Sequence, residues 1–216
     1  MTPVEEVMRG LDDLARQGKI LYAGISDAPA WWISQANTLA ELRGWSRFAG
    51  LQIEYSLIQR TVERELVPMA KALNLGVLAW SPLANGVLTG KYHGNAHAEV
   101  GRMSRPEMQD FLPEQERTQR IIAALKSVAE HTGRGMAQVA LAWLRHRPVP
   151  VVPILGARKV SQLLDNLASL DLNLSAEQAK ALDEASSIEP GFPYYLYEAQ
   201  MTRALMYGGM RDNMIA

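Results

Sequence analysis

The sequence predicts an α/β protein whose parallel sheet is covered by helices. Three observations predict it. Short apolar runs of strand length alternate with longer stretches of helical period, the βα order that makes sheets parallel. The runs have the length and flanks of strands buried on both faces. The 216 residues are 48% apolar and 21% charged, with a formal net charge of −1, the make-up of an ordinary globular domain. Four strands can be counted. An open four-strand sheet satisfies that count, whereas a closed (β/α)8 barrel needs eight.

The elements follow in order. Thr2 can cap a helix, Pro3 suits its first position and Glu5 completes a capping box. Apolar residues then recur at Val4, Val7, Met8, Leu11, Leu14 and Ala15, and Gly18-Lys19 ends the stripe. The chain therefore opens on a helix. Ile20 to Ile25 reads as a buried strand, followed by a helix from about Ala30 to Leu42. Phe48 to Ser56 alternates as a strand, with Leu51, Ile53 and Tyr55 on one face and Gln52, Glu54 and Ser56 on the other. A helix from about Val62 to Leu73 contains Pro68 as a kink or early-turn residue. Gly76 to Trp80 is a third strand, stopped by Ser81-Pro82-Leu83. Asn85 to Pro113 is long, irregular and rich in Gly, Arg and Met, a length that points to a functional loop. Helices over about Glu114–His131 and Gly135–His146 precede a fourth strand, Val149 to Leu155, and a short helix, Lys159 to Leu167. Ser175 with Gln178 caps a last helix to about Ser187. The tail from Pro190 carries Tyr194, Tyr195 and Tyr197 without a period. No composition shift marks a linker, so one domain over 1–216 is expected.

Composition excludes several function classes. Lys and Arg number 22 against 23 Asp and Glu, without the basic excess of a nucleic-acid binder. The absence of cysteine removes a disulfide scaffold, a thiolate metal site and a cysteine nucleophile. The longest uncharged stretch, Leu73 to Gly90, is broken by Asn74, Gly76, Pro82, Asn85 and Gly86, so no membrane span is expected. The first residues have no basic and apolar leader. The expectation is a cytoplasmic protein.

No Gly-x-Ser-x-Gly elbow and no Gly-x-Gly-x-x-Gly fingerprint occurs. Gly86-Val-Leu-Thr-Gly90-Lys91-Tyr92 approaches a phosphate loop but is one residue short and lacks the magnesium-binding hydroxyl. His93 and His97 sit in a Gly-rich loop with no third ligand, and read as solvated. His131 and His146 fall at helix C-termini, where a cationic ring complements the dipole. Glu5, Glu6, Asp12 and Asp13 read as a solvated helix face. What remains is a set of polar residues at the C-terminal ends of the strands: Ser26 and Asp27, Gln52 and Glu54, Trp80 and Ser81, Gly156 and Arg158. In parallel α/β folds those ends carry the site, although turn and cap roles explain the same residues. Gly156-Ala157-Arg158 before a short helix brings backbone N–H groups, a helix N-terminus and a guanidinium together, an arrangement suited to phosphate. A surface cation beside a turn glycine is the plainer reading of the same three residues.

The sequence resembles the aldo-keto reductase family along nearly its whole length. The resemblance is carried by Thr2-Pro3-Val4-Glu5-Glu6, Leu11-Asp12-Asp13-Leu14, Gly18-Lys19-Ile20, Gly24-Ile25-Ser26-Asp27, Leu51-Gln52-Ile53-Glu54-Tyr55-Ser56, Ala79-Trp80-Ser81-Pro82-Leu83, Gly86-Val87-Leu88-Thr89-Gly90-Lys91-Tyr92 and Val152-Pro153-Ile154-Leu155-Gly156-Ala157-Arg158, in the family's order. It implies an NADPH-binding (β/α)8 barrel that reduces aldehydes and ketones by hydride transfer, of which this chain matches only about the last four β/α units. Ser26, Asp27 and Gln52 would hold the nicotinamide carboxamide. The family often has Asn where Asp27 stands, and an Asp can accept from the amide NH2 but cannot donate to its oxygen. Trp80 would stack on the nicotinamide. Ser81, Pro82, Leu83, Gly86, Leu88 and Lys91 would cradle the pyrophosphate, and Gly156 with Arg158 would take the 2′-phosphate. Gln162 and Asn166 would contact the adenine, and Arg105 would close over the cofactor from the long loop.

The family's catalytic Asp, Tyr, Lys and His belong to the half this chain does not match. Tyr22, Tyr55 and Tyr92 do not fit the Tyr's motif, nor Lys19, Lys71 and Lys91 the Lys's. The resemblance therefore assigns no catalytic residue here, and the chain alone is expected to be inactive: without a tuned general acid the carbonyl oxygen has no proton source. Closure is what removes sheet edges, and four strands leave two edges and an apolar interior. Three readings follow: the cofactor-binding part of an NADPH-dependent reductase acting on a small carbonyl substrate; a non-catalytic NADP-binding subunit; or a half-barrel that self-assembles through its sheet edges.

Overall fold

The computed structural model describes residues 2–92, 115–208 and 210. It begins with a helix, α1 (Val4–Arg16), followed by β1 (Ala23–Ser26), α2 (Ala30–Arg43), β2 (Phe48–Glu54), α3 (Leu66–Ala72) and β3 (Gly76–Trp80). After β3 come a 3-10 segment over Ala84–Thr89, then α4 (Gln115–Thr132), α5 (Met136–Arg145), β4 (Val151–Pro153), α6 (Val160–Leu167) and α7 (Ala176–Ala185). Contacts group residues 1–186 into one compact unit and 187–216 into a second, small one containing α8 (Tyr194–Glu198) and α9 (Gln200–Tyr207), where the sequence suggests a single domain. Among the described residues no helix is long and apolar enough to cross a membrane.

Among the described residues, four strands form one sheet in the order β1-β2-β3-β4, every pair parallel. Period-2 alternation divides it into two faces. Ile25, Leu51 and Val77 share a register row with Val151, and Ile53 pairs with Ala79. This face packs on the helices, and Leu51, Ile53, Val77 and Ala79 enter the main core with Ile33, Ala36, Leu125 and Trp143. The opposite rows are Ser26–Gln52–Leu78–Val152 and Glu54–Trp80. Leu78, Val152 and Ile154 on that side are 37%, 62% and 40% exposed. It is the face that a barrel closes around.

Several elements differ from the sequence expectation for identifiable reasons. Thr2 makes no cap: the N-cap position of α1 is Pro3, with no side-chain hydrogen bond, so the box with Glu5 does not form. β1 starts at Ala23 rather than Ile20, and Leu21 and Tyr22 are 85% and 83% exposed in the preceding irregular connection. The helix expected over Val62–Leu73 is split into a 3-10 turn, Thr61–Glu63, and α3. Pro68 explains the break: it occupies the first turn of α3, where its missing N–H costs nothing, and could not sit deeper in a longer helix. Ser175 and Gln178 form the expected reciprocal cap of α7, the Ser175 hydroxyl accepting from the Gln178 amide (3.2 Å) and Gln178 Oε1 accepting from the Ser175 amide (2.9 Å).

A polar network ties the helical layer together, although Gln138 Oε1 and Arg147 Nε are buried without a hydrogen-bond partner among the described residues. Asp183 on α7 accepts from Trp143 Nε1 (2.9 Å) and from Arg147 (2.9 Å), joining α5 to α7. Arg60, after β2, holds Glu63 and donates to Ser186 Oγ (2.8 Å), tying the same helix to the sheet.

Candidate functional site

Two strands end in backbone that L-residues seldom adopt. β1 ends at Ser26 and the chain turns at Asp27 with φ +51°. β3 ends at Trp80 and turns at Ser81 with φ +48°. Strain of this kind gathers at functional sites. Both turns lie at the C-terminal edge of the sheet, on the two strands that flank β2.

The side chains there interlock. Asp27 Oδ1 accepts from Trp80 Nε1 (3.2 Å) and Asp27 Oδ2 from Ser26 Oγ (2.9 Å). Asp27 thus fixes the edge of the indole and the direction of the Ser26 hydroxyl. Gln52 stands beside Ser26 on the same face, and Glu54 beside Trp80. Burial first, and the Asp27 charge second, push the Glu54 carboxyl above its ordinary range, against a hydrogen bond with Gln59. Sequence reasoning placed Glu54 at this edge but gave it no role. Its register with Trp80 was the available signal.

Beyond Trp80 the face opens into a cleft of about 1080 Å³ between the segments after β3 and β4. Ser81, Pro82, Leu83, Gly86 and Lys91 line one side, and Gly156, Arg158, Gln162 and Asn166 the other. The loop after β3 curls through Ala84, Asn85 and Gly86, all at positive φ. Gly86 (φ +93°) lets Lys91 lie against its main chain: a Cβ there would stand 2.8 Å from Lys91 Cε and 2.9 Å from Nζ. The chain beyond β4 enters α6 through Lys159. Gln162 Oε1 accepts from the amides of Arg158 (3.0 Å) and Lys159 (3.3 Å), so its carbonyl caps the helix and any contact with a base falls to its amide N–H2. The Arg158 guanidinium is exposed at that end. Asn166 is buried in the cleft wall.

One expected residue stands apart, and one falls outside the described residues. Leu88 is fully buried in the core and does not line the cleft, because the 3-10 segment turns its side chain inward, so only its backbone faces the loop. Arg105 lies outside the described residues, as do His93 and His97. Ser26, Asp27, Gln52 and Trp80 occupy the sheet face beside the cleft rather than its lining. Asp165 was missed. It lines the cleft next to Asn166 and is held by Gln138 Nε2 at 2.7 Å. Its spacing of three from Gln162, on one face of α6, was the signal.

Tyr92 lies on the loop after β3, its ring centroid 4.9 Å from Lys91 Nζ. Tyr55 is fully buried on the helix side, donates to Glu63 Oε1 at 2.7 Å, and burial pushes its hydroxyl far above the usual phenol range. Tyr22 is in the irregular connection before β1.

A family model described as Aldo/keto reductase family matches residues 1–187. The chain is 36% identical over 196 residues to an aryl-alcohol dehydrogenase [NADP(+)] of Phanerodontia chrysosporium, covering 90% of this chain and 51% of that protein. It is 33% identical over 198 residues to norsolorinic acid reductase A of Aspergillus parasiticus, covering 91% and 48%. It is 36% identical over 187 residues to an uncharacterised oxidoreductase of Bacillus subtilis, covering 85% and 54%. The chain spans about half the length of these curated relatives.

Proposed function

We propose, given that this chain belongs to the aldo/keto reductase family, that it forms the NADP(H)-binding half of a reductase acting on small aldehydes, ketones or the matching alcohols. The observation that carries this is the cleft, where Lys91 and Arg158 approach from two sides of a cavity of about 1080 Å³, ample for a dinucleotide. The residues fit that group. The bare Cα of Gly86 leaves room for Lys91 against the loop, a cationic cradle for a pyrophosphate. Arg158 and the N-terminus of α6 suit a 2′-phosphate, and Gln162, Asp165 and Asn166 follow along one helix for the base. Trp80, steadied by Asp27, offers the nicotinamide a flat apolar wall. When bound, a reduced nicotinamide supplies the hydride that turns a carbonyl carbon into an alcohol carbon.

The chain's own residues bind and orient. In this reading the described residues do not supply the proton for the carbonyl oxygen, and Tyr55 is committed to Glu63 behind the sheet. In this reading the polypeptide alone binds nucleotide without turnover. The relative named for NADP(+) supports the choice of cofactor. The uncovered sheet face, with Val152 62% exposed, favours a second reading about assembly: two copies pair their four-stranded sheets into one closed barrel.

Arg158→Ala tests the first reading by titration of the purified chain. Loss of a charge-assisted phosphate contact, about 1.5–3 kcal/mol, should weaken NADPH binding roughly tenfold to a hundredfold. NADH, which has no 2′-phosphate, should bind as before. Equal losses for both nucleotides would refute the assignment.

A further inference from the structure

Among the described residues, the C-terminal edge of the sheet carries two carboxylates, Asp27 and Glu54, and no ion pair to either. Both are instead held by neutral donors: Asp27 by the Trp80 indole and the Ser26 hydroxyl, Glu54 by Gln59. The two feel each other, since the Asp27 charge is one of the causes that raise the Glu54 carboxyl. The cations of the cleft, Lys91 and Arg158, sit with the loop after β3 and the start of α6, beyond Ser81. Among the described residues the site is thus polarised, positive in the cleft and negative where Trp80 stands.

A nicotinamide ring changes charge in its reaction, cationic when oxidised and neutral when reduced. A fixed negative charge beside the ring therefore acts on one redox form and not on the other, and only such a differential interaction can bias an equilibrium. Asp27 cannot relax this bias by turning away, because both its oxygens are engaged and the backbone beneath it is held at φ +51°.

We infer that Asp27 and Glu54 together make the site prefer the oxidised nicotinamide, setting the affinity ratio of NADP+ to NADPH and making the bound reduced ring the stronger hydride donor. This rests on the nucleotide reading above and adds a redox preference to it. Asp27 is in this respect a positioning residue for Trp80 and Ser26 and an electrostatic one for the ring.

The test uses the full chain and three ligands: NADP+, NADPH and 2′,5′-ADP, which has the phosphate end but no nicotinamide. The variants are Asp27→Asn and Glu54→Gln, which keep shape and remove charge. Asn also tolerates the left-handed backbone at position 27. Each variant should lower the ratio of NADP+ to NADPH affinity by on the order of fivefold, the worth of unit charges a few ångströms apart in bulk water, and the double variant by more. Affinity for 2′,5′-ADP should not move. A ratio unchanged in both variants, with all three ligands still bound, overturns the inference and leaves the nucleotide site standing. If the unaltered chain binds none of the three, the nucleotide reading itself fails and takes the inference with it. Should one variant lose 2′,5′-ADP binding through misfolding, the other decides.

Discussion

The two faces of the sheet are built from the same strands and finished differently. Toward the helices, Leu51, Ile53, Val77 and Ala79 are at most 1% exposed, and Asp183 behind them is held by Trp143 and Arg147. On the other side Leu78 is 37% exposed, and its neighbours in register are Gln52 and Val152. The difference teaches that stability and chemistry are carried on opposite sides here. The helix side is complete within the chain, while the inner side holds the strand-end polar residues and awaits cover.

The contrast is most directly broken by paired substitutions. Trp143 is fully buried, meets Tyr55 edge-on at 5.8 Å and lies under Arg147 at 4.0 Å. Trp143→Ala would open a cavity and leave Asp183 short of a donor. Denaturant unfolding should record a loss of about 3–5 kcal/mol. Leu78→Ala should cost under about 1 kcal/mol, because a side chain already partly in water has little left to lose. A Leu78→Ala loss as large as that of Trp143→Ala would mean that the inner face is covered in solution, and the contrast would vanish.

Two glycines sharpen the comparison at smaller scale. Gly86 sits at φ +93° with Lys91 where a Cβ would go, whereas a Cβ on Gly50 would make ordinary contacts at 3.5 and 3.6 Å. Gly86→Ala should cost about 1–2 kcal/mol for the left-handed backbone and push Lys91 out of the cleft, weakening nucleotide binding as well. Gly50→Ala, on the sheet, should leave both properties nearly unchanged. Equal effects at the two positions would show that the loop after β3 is not a tailored cradle.

The layered α/β architecture was legible because periodicity reports burial, and the helix-side residues obey it. The number of strands was legible too, and with it the incompleteness of the sheet. Boundaries were less so. Ile20, Leu21 and Tyr22 are apolar enough for a strand yet lie in the irregular connection before β1, since apolar character cannot say whether a neighbouring strand extends far enough to pair. Thr2 failed as a cap because Pro3 took that position. In the site, the residues of short, spaced motifs (Ser81, Gly86, Lys91, Gly156, Arg158) converge on one cleft. What the motifs could not convey was side-chain partnership. That Asp27 spends both oxygens on Trp80 and Ser26, that Gln162 spends its carbonyl on a cap, and that Leu88 turns into the core depend on three-dimensional neighbours that sequence spacing does not encode.

The smallest expected effects are electrostatic, and they carry the comparison to its finest level. Asp12, on α1, accepts from the Ser46 amide at 2.9 Å and from Arg16 at 2.6 Å. The Ser46 amide first, and Arg16 after it, hold its carboxyl below the ordinary 3.8. Glu54, on the inner face, is raised above the ordinary 4.5 by burial and by Asp27. The signs oppose. For Asp12 the unfolded chain takes up the proton first, so its stabilisation is present above 3.8 and is lost as pH falls through the lower native value. For Glu54 the native state takes up the proton first, so its ionisation costs stability at neutral pH, a cost relieved as pH falls through the raised native value toward 4.5. Unfolding free energies measured from about pH 3 to about pH 7 should therefore respond in opposite ways. Asp12→Asn should lose stability near neutrality and flatten the acid limb. Glu54→Gln should gain stability near neutrality and none at the acid end. Parallel shifts in the two variants would remove the electrostatic part of the difference between the faces and leave only the difference in packing.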